Sequence, residues 1–145
     1  MVCYRFLTMA YWILKTEPGV YSYEMLERDH QTDWTGVRNF QARNNLREMK
    51  QGDIVFIYHS GEEKMIVGIG RILKPAFPDP TATSGDWSAV QVEAIKSCQR
   101  PVSLDEMRNT HGLSVMPLIS HSRLSVCPMT EAQAHMVMKI AKTEV

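Results

Sequence analysis

Nearly continuous apolar runs punctuated by glycine and proline dominate the first half of this chain, and such runs predict strands covered on both faces. The two clearest are residues 53–60 (D-I-V-F-I-Y-H-S) and 65–73 (M-I-V-G-I-G-R-I-L). The Gly61-Glu62-Glu63-Lys64 link between them predicts a hairpin. Upstream, the aromatic and β-branched run at residues 10–15 (A-Y-W-I-L-K) predicts a first strand, stopped by Glu17-Pro18-Gly19. Downstream, residues 89–95 alternate Val90 and Val92 with Gln91 and Glu93, the period of a half-buried strand.

Helix signals fill the intervals. Ser22 is placed to cap a brief helix through Met25 to Glu27. Asn39 is placed to cap a helix over residues 40–49, where Ala42, Leu46 and Met49 recur at helical spacing before Gly52. Ser103-Leu104-Asp105-Glu106 and Thr130-Glu131-Ala132-Gln133 both match the capping box, predicting a short helix and a C-terminal helix. Residues 34–37 are expected as a loop, and Pro75, Pro78 and Pro80 are expected to break the sheet with a loop reaching Trp87. Strands interleaved with short helices, without repeats, predict one α+β domain over residues 10–142 with a small curved sheet or barrel. Residues 1–8 resemble a targeting peptide only superficially: the apolar part is short, Arg5 interrupts it and no small-residue cleavage site follows. They are expected to be an upstream extension, with Met9 as the natural start.

Composition narrows the function. A length of 145 residues suits one domain, and 16 Lys+Arg against 16 Asp+Glu leave no net charge, which excludes a protein that holds nucleic acid by global charge. Any such grip must be local. No apolar stretch approaches the roughly 18 residues of a membrane span, so no membrane partner is expected. Three widely spaced cysteines without a C-x-x-C pair encode neither a disulfide framework nor a zinc knuckle, and predict a reducing, cytoplasmic setting. The five histidines show no metal-ligand spacing, and neither a G-x-S-x-G elbow nor a phosphate-binding glycine loop is present. No metal or cofactor is expected, and nothing in the pattern predicts more than a monomer.

Three features remain as candidate chemistry. If the hairpin pairs Ser60 with Met65, Gly68 falls opposite Ile57 and Gly70 opposite Val55, on the face carrying His59. That cleared face admits either a ligand or backbone, or a packed helix. Trp12 lies in an apolar strand and reads as core. Trp34 and Trp87 stand among Asp33, Thr35, Gly36, Gly85 and Asp86, where a ring serves either the core or a stacked base. Finally, residues 36–50 hold Arg38, Arg43, Arg47 and Lys50 against Glu48 alone, a net +3. Arg43, Arg47 and Lys50 share one helical face, which is either a solvated surface or a stripe that meets phosphates.

Five ordered motifs resemble the EVE domain, a member of the PUA-like superfamily with the YTH and ASCH domains. They are Y-W-I-L-K-T-E-P at residues 11–18, W-T-G-V-R-N-F-Q-A-R-N-N at 34–45, G-D-I-V-F-I-Y-H-S at 52–60, F-P-D-P-T-A at 77–82 and R-L-S-V at 123–126. Thr16 stands where the family often has Ser, Phe40 where it often has Tyr, and His135-Met136 where an aromatic is common. The resemblance implies a PUA-like mixed barrel of five to six strands flanked by short helices, with a pocket for a modified base in DNA or RNA, modified cytosine foremost. By position it implies that Lys15, Thr16, Glu17, Trp34, Thr35 and Trp87 build the pocket. Asn39, Tyr58 and His59 would add hydrogen bonds to the base edge, while Arg38, Arg43 and Arg123 hold flanking phosphates. The rival it implies is an ASCH-like amidohydrolase acting on acylated nucleosides through Lys15, Thr16 and Glu17. Against that rival, neighbouring strand residues point alternately, so Lys15 and Thr16 would not share one substrate.

Overall fold

In the computed structural model, which describes residues 9–145, the first apolar run becomes β1 (Tyr11–Thr16). The two strongest runs become β3 (Ile54–His59) and the first part of β4 (Met65–Pro78). The expected extension at residues 1–8 lies outside the described residues. With β2 (Gln31–Trp34), β5 (Ser88–Ser103) and β6 (Val126–Met129), these form one six-stranded sheet in the order β2-β5-β4-β3-β1-β6. β1 and β3 run parallel and the remaining neighbours antiparallel, so the sheet is mixed as expected. It is not closed: β2 and β6, each four residues long, stand at opposite ends of the order with no ladder between them. The anticipated barrel is therefore an open sheet.

Three other expectations are corrected. Trp34 ends an edge strand instead of lying in a loop; of Gln31–Trp34 only Trp34 is buried, so no apolar period marks the strand. β4 passes through Pro75 to Pro78, because register shifts after Ile72 and Lys74 take up the ladder positions where proline has no N–H to give. β5 continues past residue 95 to Ser103, through a stretch too polar to show alternation.

Four of the helices start where their caps predict. Ser22 Oγ accepts from Met25 N (3.1 Å) at α1 (Tyr23–Asp29), and Asn39 Oδ1 accepts from Ala42 N (2.9 Å) at α2 (Phe40–Glu48). Ser103 caps α3 (Leu104–Arg108), but the Glu106 carboxylate turns to Arg100 (3.0 Å), so only half of that capping box forms. α4 (Pro117–Ser120) is a single turn without a side-chain cap. The Thr130–Gln133 box opens α5 (Glu131–Ala141) in full.

The strand glycines resolve the alternatives left open for them. Gly68 does face Ile57 and Gly70 does face Val55, but His59 and not Ser60 pairs with Met65, with an irregularity at Ile57/Tyr58 absorbing the difference. A Cβ on Gly68 would sit 2.5 Å from the ring of Tyr23, so a packed helix occupies the cleared face. At Gly70 the Glu93 carbonyl would lie 2.7 Å from such a Cβ, so there it is backbone that comes close. Tyr23 is anchored by its hydroxyl donating to the Ile69 carbonyl (2.7 Å) and its N–H donating to His59 Nε2 (3.0 Å). An accepting Nε2 leaves the imidazole proton on Nδ1, which donates to Glu63 (2.8 Å). Trp12 is core, its indole N–H meeting buried Asp53 at 3.0 Å.

Candidate functional site

A cavity of about 410 Å³ opens between the end of β1 and the Trp34–Arg38 segment that leaves β2. Lys15 and Thr16 border it from β1, Tyr21 from the following turn, and Trp34, Thr35 and Arg38 from the segment opposite. Its aromatic walls are Tyr21 and Trp34, edge to face at 6.2 Å and 87°. That T-shaped arrangement leaves ring surface turned toward the space, unlike a sandwich in which two faces cover each other. Trp34 is only 8% exposed, so the wall is backed by core.

Hydrogen bonds fix the walls in place. Thr16 Oγ1 donates to the Tyr21 carbonyl (2.7 Å), and the Tyr21 hydroxyl donates to Asp29 (2.8 Å). Lys15 Nζ donates to the Ser122 carbonyl at 2.9 Å, and lies 5.9 Å from the centre of the Tyr58 ring. Burial lowers the Lys15 pKa from its ordinary value, with the nearby Cys127 acting weakly the other way. Lys15 and Thr16 thus border one cavity despite strand alternation, each with its polar end turned to a backbone carbonyl.

The loop over the cavity is organised by Asp79, whose side chain is wholly buried. Its Oδ2 accepts from Gly36 N (2.8 Å) and Arg38 Nη1 (2.9 Å), and its Oδ1 from Thr81 N (2.8 Å) and Thr81 Oγ1 (2.7 Å). Burial alone would raise this carboxyl's pKa. The donors, Arg38 first, outweigh it and hold the group well below the usual carboxylate range. Gly36 has φ +84°, a conformation side chains rarely adopt, so the turn that brings Thr35 and Arg38 to the cavity needs a glycine there.

The remaining anticipated residues lie elsewhere. Glu17 lines a separate cleft with Ser60 and Glu62. Asn39 caps α2 and, with Arg123, borders another cleft with Gln41 and His121. Tyr58 is buried beside Lys15, and His59 is held by Tyr23 and Glu63. Trp87 stacks on Phe40 at 5.2 Å and 15°. Arg43 donates to Asn44 and to the Asp86 carbonyl, and Arg47 to Ser88 and Asp86, so two members of the basic stripe clasp the Trp87 loop. Tyr21 and Asp79 carry no periodicity that marks them; their only sequence signals are the Pro18-Gly19 turn and the Pro78-Asp79-Pro80 context. Among the described residues, no three His, Cys, Asp or Glu side chains gather as a metal site, and no helix is long and apolar enough to cross a membrane.

With this geometry the chain can be set against known proteins. The family model of the EVE domain matches residues 10–140. Thymocyte nuclear protein 1 of Gallus gallus is 35% identical over 92% of this chain and 69% of its own length, and that of Homo sapiens is 32% identical over 93% and 75%. A crystal structure from Agrobacterium tumefaciens superposes with TM-score 0.89 at 39% identity, covering 92% of this chain and 94% of that one. Human THYN1 in complex with 5-methylcytosine containing DNA superposes with TM-score 0.84 at 32% identity, covering 94% and 99%. A Zygosaccharomyces rouxii YTH domain in complex with N6-methyladenosine RNA shares the fold at 14% identity, with TM-score 0.59 over 94% and 88%.

Proposed function

Because this chain belongs to the EVE domain family, we propose that it reads a modified base, 5-methylcytosine in DNA being the first candidate, by enclosing that base in the cavity that Tyr21 and Trp34 wall on one side and the end of β1 on the other. The observation that carries this is the cavity itself: about 410 Å³, within the usual size of small-molecule sites, with an aromatic pair and fixed polar neighbours. A THYN1 relative in complex with 5-methylcytosine containing DNA supports the choice of base. A base inside a duplex hides its faces, so it must be flipped out or met unpaired, at a cost of a few kcal/mol. Stacking worth about 1–3 kcal/mol per base offsets much of this, and Thr35 and Arg38 supply polar groups at the rim. Selectivity then resides in the base, and phosphate contacts add salt-dependent affinity.

We read the site as a binding site without turnover. Thr16 already donates its hydroxyl to Tyr21, and Glu17 opens onto a different cleft, so the Lys-Thr-Glu set of an amidohydrolase does not converge on the cavity. Acylated cytidines incubated with the protein should remain intact; deacylation lost in Lys15→Ala would replace this reading.

The direct test is calorimetric titration with 5-methyl-deoxycytidine and with matched methylated and unmethylated DNA and RNA strands. Preference for the methylated ligand, lost in Tyr21→Leu and Trp34→Leu, is the expected result. Equal affinity for methylated and unmethylated ligands, or unchanged affinity in both variants, would overturn it.

A further inference from the structure

Outside the cavity, the most conspicuous apolar surface is Phe40, 66% exposed in the first turn of α2. One face of its ring is occupied by Trp87 (5.2 Å, 15°), which leaves the other turned away from the protein. Trp87 is supported in turn by Gly85, where φ is +88° and a Cβ would meet the indole nitrogen at 2.6 Å. Cations surround the pair: Arg43 lies 5.1 Å from the Phe40 ring and 5.8 Å from that of Trp87, and Arg38 lies 5.6 Å from Trp87. Arg38 also borders the cavity, so a single guanidinium joins the two places.

A flat ring held rigidly from behind, open in front and flanked by cations matches a nucleobase with its phosphates: the ring takes the base face and the guanidiniums take the charge. We propose that Phe40, backed by Trp87, stacks on the nucleotide next to the one enclosed in the cavity, with Arg38 and Arg43 facing the phosphate between them. This rests on the base-reading function proposed above and adds a second contact to it. A strand left behind by a flipped base has an unstacked neighbour, and Phe40 offers that neighbour a replacement partner. The platform meets only ligands longer than one nucleotide, so it makes affinity depend on strand length.

The test compares two probes, 5-methyl-deoxycytidine and a short single strand carrying one 5-methylcytosine, in the wild type and in Phe40→Ala, Phe40→Leu and Phe40→Tyr. Loss of stacking should weaken the strand by about 5- to 150-fold in Phe40→Ala and Phe40→Leu. Phe40→Tyr should retain wild-type affinity, and the nucleoside should bind all four proteins alike. Unchanged strand affinity in Phe40→Ala overturns the proposal while leaving the cavity reading intact. Equal weakening of nucleoside and strand also overturns it, because Phe40 would then only prop the cavity. Failure of the wild type to bind either probe overturns the base-reading function and this proposal with it.

Discussion

Two aromatic pairs lie on either side of Arg38, and they are built in opposite ways. Tyr21, in the turn after β1, and Trp34, at the end of β2, meet edge to face, with Trp34 backed by core and a cavity between them and β1. Phe40 and Trp87 lie face to face on the outside, one at a helix start and the other in a loop clasped by arginines. An edge-to-face pair walls a space, whereas a stacked pair spends its inner faces on itself and offers only an outer one. The first arrangement suits an enclosed ligand and the second a surface contact. The same residue types therefore do different work according to the elements that hold them.

The largest expected effect separates the pairs by stability. Trp34→Ala should lower unfolding free energy by about 3–5 kcal/mol in urea denaturation, as for other buried large-to-small changes, while Phe40→Ala, which loses one stacked partner at an exposed position, should cost about 1 kcal/mol. Similar losses in both would erase the distinction between a core-backed wall and a surface platform.

Next comes the carboxylate that holds Arg38 (2.9 Å). Asp79→Ala removes the acceptor of four hydrogen bonds, at an expected cost of about 2–4 kcal/mol, discounted because the Arg38 side chain is 37% exposed. Amide exchange at Gly36 should quicken sharply in this variant, and unchanged exchange would show that Asp79 does not hold the loop. The same linkage gives an acid limit. The folded carboxyl has a depressed pKa, so its contribution is complete above the ordinary aspartate value of about 3.9 and declines as pH falls below it. A wild-type stability profile that is steeper below about pH 4 than that of Asp79→Asn is the expected outcome.

A smaller effect comes from a face remote from both pairs. Gly68→Ala places a methyl 2.5 Å from the Tyr23 ring, which is anchored at Ile69, and should cost about 1–3 kcal/mol by overpacking. Nucleoside affinity should not change, since neither Gly68 nor Tyr23 borders the cavity. Smallest is Asn39→Ala, about 1 kcal/mol in thermal or urea unfolding from the lost α2 cap, with Asn39→Ser recovering most of it. If Asn39→Ala instead abolishes nucleoside binding with little loss of stability, Asn39 contacts the ligand and the boundary of the site shifts toward α2.

Local signals were legible wherever the chemistry is short-ranged. Ser22, Asn39 and Thr130 announce their helices because a cap acts within three residues. The continuous apolar runs announce β3 and the start of β4 because both faces are covered. β2 was hidden because an edge strand with one buried residue has no apolar period, and the length of β4 because its prolines are absorbed by irregular pairing that only the neighbouring strand reveals. At the site, Lys15, Thr16, Trp34, Thr35 and Arg38 were among the anticipated residues that border the cavity. Tyr21, which no sequence pattern marked, is the ring that meets Trp34 there, while Trp87 stacks on Phe40, and Asp79, dozens of residues from Gly36 in the chain, positions the loop.

By itself, then, the sequence determined where elements begin, which runs are buried and which aromatic and cationic residues are available, since each depends on neighbours a few positions away. Which aromatics share a cavity, which arginine is bound to a carboxylate and which glycine admits a helix were decided only by the tertiary structure. Those outcomes depend on distances between residues far apart in the chain, set by the pairing order of the sheet and by where the Asp79 carboxylate finds its donors.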